Sequence, residues 1–381
     1  MLLSTEKEND MILNETPVRT SKNFNSNNIE LKNFEVPQEN NGFLNRNIYI
    51  NSEKKIMIVA ESQEDSERLN DLYEDNKVLV TEITKSDFKL KYGVGQENNP
   101  NQFIRVLAKE GATGVAINLE FTFDEENTNL QDAIEIYAEK DTDLDVTISY
   151  VPNEEFGEYS YHNGVIKLTA LENANVNITV VNLLNNSSDN LISFENKLLD
   201  NAKLNYTIID FGGKNSITNY YTDLFGKNSD NRVNSIYLGN NNQLFDLNYI
   251  AHCHGEKSNI NIEVQGALKD EAIKHFKGTI DFKKGCKKAV GNENENCLLL
   301  SDKAKSLALP MLLCSEEDVE GNHSSSSGKA GQKELFYLMS RGLTEKDAMK
   351  LLVRAKFNTI LEGITKNDVK ELVSNAIDSK L

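Results

Sequence analysis

The residues best able to do chemistry in this 381-residue chain are its five histidines and four cysteines. Two histidines fall in Ala-His-Cys-His-Gly at 251–255, which sets His252 and His254 at i and i+2. On a strand that spacing puts both imidazoles on one face, with Cys253 opposite. Two imidazoles on one face can begin a metal site, but a site takes three or four ligands, and no third is identifiable nearby. A pair of ladder or surface histidines is the alternative reading. The cysteines, Cys253, Cys286, Cys297 and Cys314, are too widely spaced for Cys-x-x-Cys chemistry, and each taken singly reads as a buried or inert thiol. His323 lies in Gly-Asn-His-Ser-Ser-Ser-Ser-Gly-Lys-Ala-Gly at 321–331, just ahead of an apolar helical run. That stretch fails as a phosphate loop. The motif needs four residues between its first glycine and Gly-Lys, then Ser or Thr. Here six residues separate Gly321 from Gly328, and Ala330 follows Lys329. The serines read as linker, and no nucleophile-elbow pattern marks a Ser/His/Asp triad.

Patterning shows what must hold these residues in place. From about 115 to 315, short runs rich in Val, Ile, Tyr, Phe and Thr recur, as at 115–123, 145–151, 203–211 and 259–268. Strict alternation in Asn-Ile-Asn-Ile-Glu-Val and Lys-Leu-Asn-Tyr-Thr-Ile puts every second side chain on one face. Asn, Asp and Gly clusters separate the runs, and with only five prolines the turns depend on residues that tolerate the left-handed conformation. Many short, evenly spaced strands mean a sandwich, a barrel or a solenoid. A solenoid is favoured by the unbroken length of the β region and by Asn-rich strand ends whose amides could bridge stacked turns, although no crisp repeat is visible.

The flanks differ. Residues 1–35 are polar and read as a flexible segment. Residues 36–114 read as a small α or α+β region, with a strand at 54–62 and helices at 62–76 and 101–114, the last stopped by Gly111. The β core is expected over 115–322 and a helical module over 323–381. In that module a first short helix ends at Arg341, with Gly342 as the residue after the cap. A second opens on Thr344 with Asp347 three residues on, and carries a stripe of Ala348, Leu351, Leu352 and Ala355. A third repeats this with Thr365, Asp368, and a stripe of Val369, Leu372, Val373, Ala376 and Ile377. These helices carry more apolar surface than they can bury among themselves, so the β core or another protein must cover them.

Composition closes off several functions. A net charge of −18 argues against nucleic acid, which needs a basic face, and the lysine-rich stretch at 274–288 reads as a solvated face. No run approaches the roughly 18 apolar residues of a membrane span, and the first residues carry no export signal, so a cytoplasmic protein is expected.

Ordered short motifs then narrow the choice: Leu-Leu-Leu-Ser at 298–301, Pro310, Glu-Asp-Val at 317–319, His323 with small residues up to Gly328, Leu-Phe-Tyr-Leu at 335–338, Ser-Arg-Gly at 340–342, and Thr-Glu-Lys-Asp-Ala at 344–348. This order resembles the C-terminal signature of the SufB/SufD family of iron–sulfur cluster assembly proteins, and the preceding 251–282 is similar to that family's last β-helix turns. The resemblance implies a right-handed parallel β-helix with helical termini. It also implies a complex in which SufB-like and SufD-like subunits pair through their β-helices, each docking an ABC-type ATPase, SufC, through its C-terminal helices. The docking residues here would be Leu335, Phe336, Tyr337, Arg341, Gly342, Leu351 and Leu352. ATP chemistry would belong to that ATPase, leaving this chain a non-catalytic scaffold. A homodimer in isolation stays open.

Within the family the chain looks more like the SufD type. SufB-like chains carry a cysteine where this one has Ala304, and a glutamate directly after the histidine where this one has Ser324. His323 falls on the histidine of the SufD-like pattern, with Gly321 where a cysteine would stand. The resemblance therefore makes His323 a ligand candidate for a transient iron–sulfur cluster at the subunit interface, with His252, His254 and Cys314 as secondary candidates. No tightly bound cofactor is expected of the chain alone, and flavin involvement is left open. Two rivals remain: a self-sufficient SufB-like assembler, opposed by Ala304 and Ser324, and a β-solenoid enzyme acting on polysaccharide, opposed by the absence of Trp and of an export signal.

Overall fold

The computed structural model describes residues 11–18, 27–32, 34, 37, 43–51, 53–54, 58–60, 78–83, 100–153, 156–329, 331–364 and 366–381. Its strands in chain order begin with β1 (Met11–Leu13), β2 (Ile29–Leu31), β3 (Arg46–Ile50), β4 (Glu53–Lys54), β5 (Ile58–Ala60) and β6 (Val78–Ile83). Sixteen longer strands follow. They are β7 (Gln102–Ala108), β8 (Val115–Phe123), β9 (Asn129–Ala138), β10 (Asp143–Pro152), β11 (Tyr161–Ala170), β12 (Asn175–Asn182), β13 (Asp189–Leu198) and β14 (Lys203–Asp210), then β15 (Asn215–Leu224), β16 (Asp230–Gly239), β17 (Leu244–Cys253), β18 (Asn259–Leu268), β19 (Ile273–Phe282), β20 (Ala289–Leu299), β21 (Lys305–Cys314) and β22 (Val319–Lys329). Three helices close the chain: α1 (Gln332–Ser340), α2 (Glu345–Leu361) and α3 (Asn367–Lys380).

From β7 on, consecutive strands alternate between two sheets. The even-numbered strands β8 to β22 stack in one, the odd-numbered β7 to β21 in the other, and all these pairings are parallel. Each pair of strands is thus one coil of a parallel β-solenoid, and same-sheet parallel crossovers of this kind are right-handed in nearly all proteins. The alternation read from sequence appears directly in burial. Val115, Ile117, Leu119, Phe121 and Phe123 of β8 point inward while the residues between them are half-exposed. Register then stacks like on like, as in the inward column Ile117–Val146–Ile178–Tyr206–Val233–Ile262.

The turns are joined by the asparagine bridges that the composition suggests. Asp141, Asn173, Asn201 and Asn228 occupy one corner, all at positive φ, and each amide donates to the residue one coil earlier at 2.8–3.1 Å. Asn and Asp bear this conformation at lower cost than other side chains, and the stacked amides satisfy one another. Coil length along this corner runs 32, 28 and 27 residues, which is why no fixed repeat shows in the sequence.

The two ends are finished differently. At the N-terminal end β3 runs antiparallel on β8, and β6 antiparallel on β7, so the first coil is closed by strands of opposite direction. Phe43 and Ile48 join the core there. At the other end β21 and β22 are each last in their sheet.

Several expectations change. The helix expected at 101–114 is strand β7, because Ile104, Val106 and Ala108 pack into the solenoid and the strand pairs with β9. The linker expected at 321–331 is mostly strand β22, so the β core extends past residue 322 to Lys329. In the first 35 residues, expected to be flexible, the described part forms the β1–β2 hairpin, whose Leu13, Ile29 and Leu31 pack on Tyr161, Leu191 and Ile217. The helix expected at 62–76 lies outside the described residues.

Helices α2 and α3 lie on the outer face of the even-numbered sheet. Val353, Phe357 and Ile360 of α2 and Val369, Val373 and Ile377 of α3 bury against Val181, Ile209, Ile236 and Ala267. Each such side chain contributes about 1.5–3 kcal/mol. The α3 stripe is as expected. That of α2 is rotated, with Ala348 buried but Leu351 and Ala355 exposed, since the sheet rather than α1 sets the buried face. Both ends of α3 are pinned. Lys366 donates to Asn118 and Thr147, and Lys380 to Asn186, Asn240 and Gln243. Thr344 caps α2 as read, accepting from the Asp347 N–H at 3.1 Å, and Gly342 sits past the end of α1 with φ +98°. Thr365 lies outside the described residues. Among the described residues no helix is long and apolar enough to cross a membrane.

Candidate functional site

The inward columns of the even-numbered sheet change character in its last two coils. The apolar column from Ile117 to Ile262 continues as Glu293 and then His323. The next column passes Ile208, Ser235 and Val264 to reach Glu295 and Ser325. A third passes Tyr237 and Gly266 to reach Cys297 and Ser327. The signal was present in Gly-Asn-Glu-Asn-Glu-Asn-Cys at 291–297, where strict alternation puts both glutamates and the cysteine on the buried face, but sequence reading passed over it.

Each acid has its own environment. Glu295 is fully buried, paired with Lys274 Nζ at 2.8 Å, and accepts from Tyr237 Oη at 3.0 Å and from Ser325 Oγ at 2.8 Å. Glu293 is buried with no hydrogen-bond partner for either carboxylate oxygen. Burial, reinforced by the charge on Glu295, pushes its pKa up to about 8, so it holds its proton near neutrality. Space for that carboxyl exists because residue 278 across the lumen is glycine. A Cβ there would sit 2.3 Å from the Glu293 carboxyl. Cys297 is buried beside them, and desolvation raises its pKa too.

His323 sits on this same inward row but is exposed, because β22 is the last strand of its sheet and no strand among the described residues stacks on it. Gly321, two residues earlier, also faces the lumen. A Cβ there would meet Leu312 Cδ2 at 2.8 Å and Phe282 at 3.0 Å, so Leu312 takes space that a side chain at 321 would need. The end of the solenoid is thus an open mouth with an imidazole at its lip, a protonated carboxyl beneath and a buried ion pair alongside. Imidazole, carboxyl and thiol are all donors suited to iron or to proton transfer.

The other predicted residues are dispersed. Cys314 ends β21 in the opposite sheet, exposed, its thiol directed to the Glu316 carbonyl at 2.9 Å. His252 and His254 lie elsewhere, on the outer face of the odd-numbered sheet, where Asp223 of the preceding coil joins them. Of the docking residues, Phe336 is 74% and Tyr337 56% exposed, and Leu351, on α2, is exposed as well. Leu335 and Leu352 are half-buried, and the Arg341 guanidinium lies 5.2 Å over the Tyr337 ring.

Comparison with known proteins gives a clear match. Residues 121–356 fit the family described as SUF system FeS cluster assembly, SufBD core domain. The chain belongs to the SufBD core family. Its relatives include the iron–sulfur cluster assembly protein SufD of Bacillus subtilis, 26% identical over 180 residues, which cover 47% of this chain and 41% of that protein. A SufBD family protein of Pyrococcus horikoshii is 30% identical over 217 residues, covering 56% and 48%. SufD of Escherichia coli is 26% identical over 164 residues, covering 43% and 38%. The match thus spans less than half the length of each of these relatives. Within the family the chain is most like SufD, as the motifs at 298–348 lead one to expect.

Proposed function

We propose that this chain is a non-catalytic, SufD-like scaffold that joins a SufB-like subunit through the bare end of its solenoid. The observation that carries the reading is that end itself. β21 and β22 are ten- and eleven-residue edge strands, and the lumen beneath them carries Glu293, Glu295 and Lys274 beside Phe282 and Leu312. Edge strands of that length present rows of unpaired backbone groups and are normally covered. A second solenoid laid end to end would continue both sheets and enclose His323 at the joint.

In such a joint His323 supplies one imidazole toward an iron–sulfur cluster, the cargo, with thiolates coming from the partner, since Gly321 offers none here. Glu293 holds a proton that an arriving cation would displace. The exposed apolar side chains Phe336, Tyr337 and Leu351 on α1 and α2 fit the docking of an ABC-type ATPase, which would carry out ATP hydrolysis for the assembly.

Coexpression with a SufB-like chain and a SufC-like ATPase tests this. A stable ternary complex is expected, and Phe336→Ser should release the ATPase while leaving the SufB-like partner bound. Failure of any complex to copurify overturns the reading. A chain that instead pairs only with itself would assign the bare end to a homodimer. His323→Ala should leave the complex intact and reduce the cluster it holds; unchanged cluster content removes the ligand role alone.

A further inference from the structure

On the outer face of the odd-numbered sheet an aspartate one coil away joins the histidine pair that the sequence sets side by side. Asp223 of β15 is in register with His252 of β17, which is in register with Asp281 of β19. His254 lies just past the end of β17, and its ring swings back over the same spot. Its Nε2 is 3.0 Å from Asp223 Oδ1, and His252 Nδ1 is 3.4 Å from the same oxygen. Ligand atoms of all three residues lie within 4.8 Å of one another. An ion with bonds of about 2.0–2.1 Å in a tetrahedral site has ligand–ligand edges of about 3.3 Å. The two edges that Asp223 makes fall on either side of that value.

The imidazoles are also held in place. Tyr221 Oη donates to Asp223 at 2.9 Å, stands 2.8 Å from His252 Nδ1, and its ring meets His252 edge-on. Phe225 stacks on His254 at 4.5 Å, with Lys197 on that phenyl ring. The turn carrying His254 is pressed onto the turn below, and a Cβ at Gly255 would lie 1.9 Å from the Gly226 carbonyl oxygen. Metal-binding imidazoles are typically oriented by such neighbours. The side chains keep some access to solvent, at 14% for Asp223, 13% for His252 and 30% for His254, so a fourth position can face water.

We propose that Asp223, His252 and His254 bind a divalent first-row transition ion. Two imidazoles and one carboxylate with an open position suit Fe2+, Zn2+ or Co2+, whereas Mg2+ and Ca2+ prefer all-oxygen sites. The proposal stands apart from the assembly reading, since this face is neither the bare end nor the helix-covered sheet.

The test is titration of the full chain with Co2+, whose visible absorption reports a low-symmetry site with nitrogen ligands. About one equivalent should bind. Asp223→Ala and His254→Ala should each weaken binding by more than the roughly 10–100-fold expected for Tyr221→Phe. Cys314→Ser, as control, should bind as the parent does, and a large excess of Mg2+ should not displace the cobalt. Circular dichroism and Tm confirm that each variant is folded; should either alanine variant fail that check, Asp223→Asn and His254→Gln replace it. Absence of stoichiometric binding, displacement by Mg2+, or unchanged affinity in folded Asp223 and His254 variants would each overturn the site. Cobalt binding by a chain that holds no SufB-like partner would keep this site and remove only the assembly reading.

Discussion

The two ends of the solenoid are built from the same kind of coil and finished in opposite ways. At the first coil, β3 and β6 reverse direction and close both sheets, and the interior beneath them is Phe43, Ile48, Ile117 and Phe121. At the last coil no strand among the described residues reverses, both sheets stop on full-length parallel strands, and Glu293, Glu295, Lys274 and His323 stand in the interior beside Phe282 and Leu312. A capped end terminates a solenoid. An open end with desolvated charge beneath it is a surface made for continuation.

If the open end is a built surface, breaking it should cost as much as breaking the cap. Lys274→Ala leaves Glu295 buried and unpaired, with an expected loss of about 3–5 kcal/mol in urea denaturation. Ile48→Ala in the cap should lose about 2–5 kcal/mol. A loss under about 1 kcal/mol for Lys274→Ala would mean a frayed, solvated end and would undo the comparison. Next in size is the effect on association. Ser324→Lys combined with Ser326→Lys puts charge along the exposed edge of β22, and should abolish copurification of a SufB-like partner while shifting Tm by only a few degrees, about what a surface change costs. Retained partner binding would place the interface elsewhere.

Glu293 gives a pH signature belonging to the open end. Its folded pKa is about 8 against an ordinary 4.5, so between those values the native state keeps a proton that the unfolded chain has lost. Stability therefore falls as pH rises through that window, by at most about 1.4 kcal/mol per unit, and levels off above it. Glu293→Gln should flatten this decline, matching the parent near about pH 5 and exceeding it near about pH 9. Parallel pH curves would show a solvated carboxylate. The smallest contrast compares two lumen glycines. Gly266→Ala drives a Cβ into the Tyr237 ring and should cost about 1–3 kcal/mol. Gly321→Ala at the open end meets only the mobile tip of Leu312 and one edge of Phe282, and should stay within about 0.5 kcal/mol.

Much of this architecture could be read beforehand, where a local rule had no competitor. Alternation in 259–264 and 203–208 placed strands correctly, and Thr344 and Gly342 marked helix ends that the structure keeps. Errors came where pairing overrode local preference. Phe103, Ile104, Val106 and Leu107 fit a helical stripe as well as a strand, and only the β9 neighbour decides between them. The serines at 324–327 have no strong strand preference. They are a strand because β20 offers a ladder, with Ser324 and Ser326 bonded to Asn294 and Asn296. Asp223 could not be matched to His252 from sequence, because coil lengths vary and a third ligand one coil away has no fixed spacing.

The corner of left-handed residues has a use beyond holding turns together. Asp141, Asn173, Asn201 and Asn228 mark the same phase of successive coils, like notches on a screw thread. Splicing the chain from Asn173 directly to Ala202 would excise 28 residues, one whole coil, carrying the open mouth and its His323 intact onto a shorter barrel of the screw. The reach between the capped end and the mouth is therefore set in whole coils, and can change without touching the groups at either end.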